Sequence, residues 1–208
     1  MEYLDYYDED GGYIGYKTRE EVHSKGLWHK TIHCWLYDNL GNIYFQIRKD
    51  SNTFYTTASG HVLKGETVKD AFKREIKEEI GIKIDSQDAT LVGIVPWKMD
   101  KVKKDGSIFK DRAWANVYVD LFEDDIDKFN FDENEVLGLV RVNAKEALSL
   151  FKKEEGKIPA LIIKQDKYNK IVTENRNVNF SEFLVNEHET AYGKYSDVLK
   201  KVIELTER

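Results

Sequence analysis

Three glutamates lie within about one helical turn near the middle of the chain, at residues 75, 78 and 79. Their i, i+3 and i+4 spacing projects Glu75, Glu78 and Glu79 from one face of a helix, where like charges destabilise an isolated helix. A divalent cation removes that repulsion, and carboxylate oxygens suit Mg²⁺ or Mn²⁺. Arg74, four residues before Glu78, can orient a carboxylate through its planar fork of donors. The cluster therefore predicts a site for Mg²⁺ or Mn²⁺.

A helix is the element that must carry these side chains. The stretch from Thr67 to Ile80 contains no Gly and no Pro. Gly81 follows it, where a helix commonly ends, and Thr67 or Glu66 can accept hydrogen bonds from the first free N–H groups. One apolar stripe at helical spacing would pack this helix on the rest of the protein, and it consists of Val68, Ala71, Phe72, Ile76 and Ile80.

Charged residues make up 34% of the chain, so a solvated acidic helix is the competing interpretation. The spacing of residues over the longer stretch 60–82 distinguishes a metal site from a solvated acidic helix. It runs Gly60, five residues, Glu66, seven residues, Arg74-Glu75, an aliphatic residue, one residue, Glu78-Glu79, one residue, Gly81 and a second aliphatic residue. At every fixed position this stretch resembles the signature of the Nudix hydrolases.

That resemblance implies a fold class and a reaction. Nudix proteins are α/β (α+β) domains in which an α/β/α sandwich is built on a mixed central sheet. We expect this chain to add an N-terminal hairpin and a C-terminal helix. Family members hydrolyse a nucleoside diphosphate linked to another group. The resemblance therefore implies a small-molecule diphosphate as substrate and Mg²⁺ or Mn²⁺ as cofactor.

The resemblance also implies which residues hold the metal. They are the carboxylates of Glu75, Glu78 and Glu79, together with the backbone carbonyl of Gly60. A metal neutralises the charged oxygens of a diphosphate and lowers the pKa of a bound water. A carboxylate then takes the proton of that water, with Glu75 and Glu78 as the candidates. The spacing does not decide which glutamate is the general base.

Other residues of the site follow from the same resemblance. Arg74 and Glu66 resemble the residues that hold the metal cluster in place. An acidic stretch precedes the apolar run at residues 136–142, and in Nudix proteins such a glutamate assists the metal or the substrate. Glu135 is the better candidate for this role, and Glu133 is the other.

Residues 22–46 carry a second resemblance, to isopentenyl-diphosphate isomerase, an enzyme of the same superfamily. It implies that His23, His29 and His61 belong to a metal site. A lone histidine is usually structural, but several near one site point to function. The histidines are therefore interpreted as structural, as facing the substrate or as ligands of a second metal.

Two departures argue against the isomerase reaction itself. Ser59 occupies the position of the isomerase cysteine, and a hydroxyl does not exchange a proton with carbon as readily as a thiol does. Residues 112–118 lack the glutamate pair of the isomerases. A hydrolase is thus predicted, with an isomerase-like enzyme or a prenyl diphosphate hydrolase as the alternative. A binding module without activity would be expected to lose a catalytic glutamate, and none is lost.

Length and composition favour one domain over residues 1–208, because the chain has two prolines and no low-complexity linker. Its core is expected at about 28–155, with an N-terminal hairpin extension at 1–27 and a C-terminal helical extension at 156–208. The net charge of −6 argues against a nucleic-acid partner. One cysteine, no secretory signal at the start and no run of about 18 apolar residues predict a cytoplasmic protein without a membrane span.

Three further segments bear on the site and on its partners. Residues 98–111 hold five lysines and are expected to form a long hairpin tip, either solvated or in contact with substrate phosphates. Residues 143–155 are expected to form a helix that Gly156 ends. Residues 179–208 look helical, and they are expected to pack on the sheet or, as the alternative, to form a homodimer contact. Four tryptophans could stack on a base or lie in the core.

Overall fold

A computed structural model describes residues 1–85, 88–184 and 195–207 of the chain. These residues form four α-helices and eleven β-strands. The helices are α1 (Arg19–Lys25), α2 (Val68–Ile80), α3 (Ala144–Phe151) and α4 (Tyr195–Thr206). The strands are β1 (Tyr3–Tyr7), β2 (Tyr13–Thr18), β3 (Trp28–Tyr37), β4 (Asn42–Arg48), β5 (Phe54–Tyr55), β6 (Ala58–His61), β7 (Thr90–Val102), β8 (Ile108–Leu121), β9 (Val136–Asn143), β10 (Ile158–Gln165) and β11 (Ile171–Val178).

The strands pair into one mixed sheet with β3 near its middle. Strand β3 runs parallel to β8 and antiparallel to β6. In the pairing with β6, Ile32 of β3 lies opposite Gly60. Strand β4 pairs with β9, and β10 and β11 extend the sheet beyond β9. Strands β7 and β8 form a long antiparallel hairpin. The sheet thus brings β6, which leads into α2, beside β3.

Alternate residues of β3 face two separate hydrophobic clusters, as the period of a strand requires. Ile32, Cys34 and Leu36 pack in the cluster that contains the apolar stripe of α2. Trp35 and Tyr37 point to the opposite face and pack in the cluster that contains α3 and α4. Helices therefore cover both faces of the sheet, and the predicted α/β/α sandwich is confirmed.

The N-terminal hairpin is also confirmed, and α1 begins directly after its second strand. Asp8 accepts hydrogen bonds from the backbone of Asp10 and Gly12 in the turn between β1 and β2. The Thr18 hydroxyl accepts from the N–H of Glu21 at the start of α1. Helix α1 ends at Gly26, whose φ of 67° is left-handed. This short helix buries His23 against the sheet.

The expectation of a helical extension over residues 156–208 was wrong for its first part. Residues 158–178 form the β10–β11 hairpin instead, which pairs with β9. Residues 171–177 are exposed or half-buried, because β11 is the outermost strand on its side of the sheet. Its sequence therefore lacks the alternation that marks a strand with one buried face. Helix α4 covers only part of the expected helix, and residues 185–194 lie outside the described residues.

Two other boundaries differ from the expectation. Helix α3 ends at Phe151 rather than before Gly156, because Lys153 takes the left-handed conformation, at φ 61°, that usually falls to glycine. The expected hairpin tip at 98–111 is mostly strand, since β7 continues to Val102 and β8 begins at Ile108. Lys98, Lys101 and Lys110 therefore lie on paired strands.

Candidate active site

Helix α2 and the loop before it place the glutamates. The helix begins after Thr67, whose hydroxyl accepts from the Asp70 N–H at 3.1 Å. It ends at Gly81, in the left-handed conformation at φ 77°. The stripe formed by Ala71, Phe72, Ile76 and Ile80 is buried in the core. Because that stripe fixes the rotation of the helix, the glutamates at 75, 78 and 79 are set toward the loop and toward β6.

Arg74 connects the loop to the helix. Its Nε and Nη2 donate to the two carboxylate oxygens of Glu66 at 2.9 and 3.0 Å, a bidentate pair. Its Nη2 also donates to the His61 carbonyl at 2.8 Å. Its Nη1 donates to Glu75 at 2.6 Å and to Glu78 at 3.0 Å. One side chain therefore joins Glu66, two of the predicted metal ligands and the end of β6.

Glu79 is the most buried of the three glutamates, with 4% of its surface exposed. It accepts hydrogen bonds from Gln46 Nε2 at 2.9 Å and from the Ser59 N–H at 3.2 Å. Burial raises the pKa of Glu79, and the charge of Glu75 raises it further. Gln46, on β4, is a residue that the sequence did not single out.

Glu75 lies against the backbone of Gly60. A Cβ at residue 60 would overlap its carboxylate, so a larger residue there would displace the Glu75 side chain. Burial raises the pKa of Glu75 to about 7; Arg74 opposes that shift, and Glu78 and Glu135 add to it. Burial and charge repulsion thus both disfavour the ionised form of Glu75 in the protein alone.

These groups fit a divalent cation by their chemistry. They offer hard carboxylate oxygens whose negative charges oppose one another, and a doubly charged ion relieves that opposition. The fit is not yet complete in its geometry, because Glu78 is 58% exposed and turned toward Arg74. The ligand atoms of Glu75, Glu78 and Glu79 do not all approach within 4.8 Å of one another. Glu78 would have to turn away from Arg74 to join the other two glutamates at one ion.

A cleft of about 480 Å³ opens beside the glutamates. Glu79, Gly60 and the predicted Glu135 all line it. A cleft of this volume can accommodate a nucleotide-sized molecule. Its other walls include Arg48, Tyr55, Trp97 and His61. Of the described tryptophans, Trp28, Trp35 and Trp97 are buried, and Trp97 is the one that lines this cleft.

The three histidines come together, as the second resemblance implied. His23 on α1, His29 on β3 and His61 on β6 form the one group of metal-ligating side chains in the described ranges whose ligand atoms all lie within 4.8 Å. The Nε2 atoms of His23 and His61 are 3.3 Å apart. Burial lowers the pKa of all three, that of His29 to about 4, so they are held neutral. Neutral imidazoles are the form that binds metals.

Asp111, at the start of the buried part of β8, lies beside two of these histidines and was missed. Its Oδ1 lies 3.5 Å from His29 Nε2 and 4.0 Å from His23 Nε2. Burial raises the pKa of Asp111, and the charge of His23 and the side chain of Trp97 oppose the shift. Its signal in the sequence is weak: Asp111 immediately precedes the stretch 112–118, which lacks the glutamate pair of the isomerases.

Comparisons with known proteins agree with this architecture. The NUDIX domain family matches residues 27–162. An uncharacterized Nudix hydrolase of Clostridium acetobutylicum is 36% identical over 155 residues, covering 70% of this chain and 71% of the relative. An isopentenyl-diphosphate Delta-isomerase of Mycolicibacterium vanbaalenii is 32% identical over 83 residues, covering 37% of this chain and 46% of the relative.

A solved structure shows the same fold. The crystal structure of a Deinococcus radiodurans protein superposes with a TM-score of 0.52 at 20% identity, covering 74% of this chain and 90% of that one. None of the helices in the described ranges is long and apolar enough to cross a membrane. With the family match over residues 27–162 and the 36% identical relative, the chain belongs to the Nudix family of hydrolases.

Proposed function

We propose that this protein is a Mg²⁺-dependent pyrophosphohydrolase that cleaves the diphosphate linkage of a nucleoside diphosphate derivative. One observation carries the proposal: Glu79 is buried at the wall of a large cleft, and Glu75, whose side chain is 12% exposed, lies close enough for its charge to raise the pKa of Glu79. Buried carboxylates that repel one another need a cation, and so does a diphosphate if water is to attack it. One site for a divalent ion meets both needs.

The residues of the site have separate tasks. Glu75, Glu78, Glu79 and the Gly60 carbonyl would hold Mg²⁺ or Mn²⁺, which when bound neutralises the diphosphate oxygens and lowers the pKa of water. Gln46 and the Ser59 N–H hold the Glu79 carboxylate in one orientation. Positioning and charge stabilisation of this kind supply most of the catalysis in phosphoryl chemistry.

Two further residues hold the ligands together. Arg74 binds Glu66 in a bidentate pair and reaches Glu75 and the His61 carbonyl, which keeps the loop and the helix at a fixed separation. Both are part of the catalytic arrangement, although neither needs to touch the water.

A carboxylate must accept the proton of the attacking water. Arg74 holds Glu75, and Gln46 holds Glu79. Glu78 also accepts from Arg74 but is 58% exposed, and Glu135 lines the cleft. A general base has to reach the water from within hydrogen-bond distance, so Glu78 and Glu135 are the residues to test. Loss of the acidic limb of the pH–rate profile in only one of the two Gln variants identifies the base.

The walls of the cleft support a nucleoside as one part of the substrate. Tyr55 and Trp97 line the cleft, each with 5% of its surface exposed, and the Arg48 guanidinium lies 5.4 Å from the centre of the Tyr55 ring. An aromatic ring beside a cation is a common way of holding a planar base. The cleft is lined by polar as well as apolar groups, which fits a polar organic group better than a hydrocarbon chain.

Isomerisation of an allylic diphosphate is the less favoured function. Residue 59 is a serine, and its N–H is engaged with Glu79. The single cysteine, Cys34, is buried on the α2 face of β3, and burial raises the pKa of its thiol. No thiol of the chain is therefore available to transfer a proton at carbon in the cleft.

A panel of nucleoside diphosphate derivatives, with isopentenyl diphosphate included, tests the proposal. We expect Mg²⁺-dependent release of phosphate or of a nucleoside monophosphate from at least one nucleotide. Glu78→Gln and Glu79→Gln should each lower the rate by about 10²-fold or more. Glu146→Gln, an exposed change on α3, is the matched control and should keep the rate. Conversion of isopentenyl diphosphate into its double-bond isomer, with no hydrolysis of any nucleotide, would overturn it.

A further inference from the structure

A second cavity, of about 490 Å³, adjoins the cleft between α1 and the tip of the β7–β8 hairpin. Arg19 and Phe109 line both spaces. The cleft extends from Glu79 and Glu135 to these two residues. A molecule held by its diphosphate at the glutamates can therefore extend past Arg19 and Phe109 into the second cavity. Because the cleft alone can accommodate one nucleotide, the second cavity leaves room for a further group of similar size.

Phe109 gives the second cavity a fixed aromatic surface. Its ring stacks on the buried His23 ring, with centres 4.3 Å apart and planes 14° apart. His23 is itself held in place, because its Nδ1 lies 2.8 Å from the Arg19 carbonyl. One face of the Phe109 ring is thus covered by the histidine, and the other face is left for a ligand. A flat surface that is already ordered binds a planar ring with little loss of side-chain entropy.

A positive charge lies beside the Phe109 ring. Lys103 lines the second cavity, and its Nζ is 5.7 Å from the centre of the ring. An aromatic ring with a cation beside it is a common arrangement for holding the bases of nucleotides. A hydrocarbon chain would pack on the ring but would gain nothing from the lysine. The hairpin side of the cavity therefore favours a planar polar group.

The wall formed by α1 is polar. Glu20 and Ser24 line it, beside the ion pair that Glu2 forms with Arg19 at 3.1 Å. The Ser24 hydroxyl donates to the Glu21 carbonyl, so its oxygen is left as an acceptor. Carboxylate and hydroxyl oxygens accept hydrogen bonds from the amino groups at the edge of a base. The second cavity thus combines a stacking surface with acceptors for the edge of the stacked ring.

We propose that the second cavity binds the group on the far side of the substrate's diphosphate, and that this group is a second nucleoside. The inference rests on the proposed function for the position of the diphosphate, which is at the glutamates. It names the substrate class: two nucleosides joined by a polyphosphate, with one base in the cleft and the other on Phe109. Phe109 and Lys103 then determine specificity and take no part in the chemistry.

Two ligands with the same three phosphates test this without turnover. Calorimetric titration with Ca²⁺ in place of Mg²⁺, under conditions in which chromatography detects no product, compares diadenosine triphosphate with ATP. The guanosine pair is measured alongside. We expect the ligand with two nucleosides to bind at least about tenfold more tightly than its partner in one of the series. ADP-glucose and GDP-glucose carry a sugar in place of the second nucleoside and should bind no better than ATP and GTP.

Three results would overturn the proposal. The first is equal affinity for one and two nucleosides in both series. The second is no binding of either ligand with two nucleosides. The third is tightest binding of a sugar derivative, which would assign the cavity to a sugar instead of a base.

Substitutions in the cavity wall show where the second base lies. Phe109→Leu keeps an apolar side chain against His23 but removes the flat ring. It should weaken binding of diadenosine triphosphate by about tenfold and leave ATP binding within about twofold. Phe109→Tyr keeps the ring and should bind both ligands as the wild type does. An unchanged affinity in Phe109→Leu, or an equal loss for both ligands, excludes the second cavity as the site.

The neighbouring lysines supply a matched pair of variants. Lys103→Ala should weaken binding of diadenosine triphosphate more than binding of ATP, because the cation beside the Phe109 ring is lost. Lys104→Ala removes the same charge from the next residue, which does not line the cavity, and should bind both ligands as the wild type does. Equal effects of the two substitutions would mean that Lys103 acts only through the overall charge and would contradict its place in the site.

The outcomes separate this proposal from the hydrolase proposal. A protein that hydrolyses mononucleotides but shows no preference for two nucleosides would keep the hydrolase function and lose the second site. A protein that binds diadenosine triphosphate through Phe109 and hydrolyses no nucleotide would keep the second site and lose the hydrolase function.

Discussion

The Glu75 carboxylate occupies the space that a side chain at Gly60 would need. An added Cβ at residue 60 would overlap both carboxylate oxygens and the carbon that joins them. Gly60 lies on β6, opposite Ile32 of β3, and cannot move away without breaking the sheet. The absence of a side chain at Gly60 therefore lets the Glu75 carboxylate approach the backbone of β6.

Gly60→Ala should abolish hydrolysis while the protein stays folded. The added methyl would push Glu75 off β6 and away from Arg74, so the metal ligands would no longer converge. Steady-state rates together with circular dichroism measure the two effects. Gly93→Ala is the matched control, because a Cβ there meets no atom within 4 Å. An active Gly60→Ala enzyme would contradict the close approach described above.

Glu75 should give the metal-free protein a distinctive dependence on pH. Its pKa is raised to about 7 in the folded state from 4.5, so the folded state holds the proton more tightly. This group therefore favours folding at low pH and loses that contribution as the pH rises from about 4.5 through 7. Between pH 5 and pH 8 the loss is about 2–3 kcal/mol.

Urea unfolding of the wild type and Glu75→Gln with a chelator present measures this contribution. The variant should gain stability relative to the wild type as the pH rises, because it cannot ionise. The histidines are present in both proteins, so their titration largely cancels in the difference. The Glu79 titration does not cancel, because the charge of Glu75 raises the pKa of Glu79, so the difference reports on the two glutamates together. Saturating Mg²⁺ should reverse the trend in the wild type alone, since the ion replaces the proton. A pH-independent difference between the two proteins would show that the Glu75 pKa is not raised.

The central motif was predictable because its signals are local. Helix α2 was expected from Thr67 to Ile80 and spans Val68–Ile80, since the cap, the apolar stripe and Gly81 all act within a few residues. The strand pairings were not predictable in the same way. Strand β4 follows β3 directly along the chain, but the two share one residue pair, Tyr37 with Ile43, and β4 pairs mainly with β9.

In the site, too, residues close in sequence were predictable and residues joined by distant strand pairing were not. Arg74, Glu66, Glu75 and Glu78 are close in sequence, and spacing on a helix was enough to bring them together. Asp111 reaches His29 only because β8 runs parallel to β3 after a long connection. Contacts of that kind depend on which strands pair in the sheet, and the periodicity of the sequence does not indicate the pairing of distant strands.

Arg74→Lys should separate the hydrogen-bond geometry of residue 74 from its charge. A lysine keeps the positive charge but cannot bind Glu66 in two places while also reaching Glu75 and the His61 carbonyl. We expect a loss of about 1–3 kcal/mol in stability and a weaker affinity for Mg²⁺. Arg176→Lys, at the ion pair with Glu182, changes a residue that does not line the cleft and should leave Mg²⁺ affinity unchanged. Calorimetric titration with Mg²⁺ distinguishes the variants, and identical affinities would mean that charge alone is needed at residue 74.

His33 should make the protein sensitive to acid. The ring is 3% exposed, and burial lowers its pKa from 6.5 to about 4. The unfolded chain therefore binds a proton at His33 before the folded protein does, and stability is lost as the pH falls from about 6.5 toward 4. Between pH 7 and pH 5 the titration of His33 should lower the free energy of unfolding by about 2 kcal/mol.

His33→Gln removes the titration, so the unfolding free energies of the two proteins should converge or cross as the pH falls. His29 and His61 titrate in both and do not contribute to the difference. Parallel stability curves over this range would mean that water reaches the ring and that its pKa is ordinary.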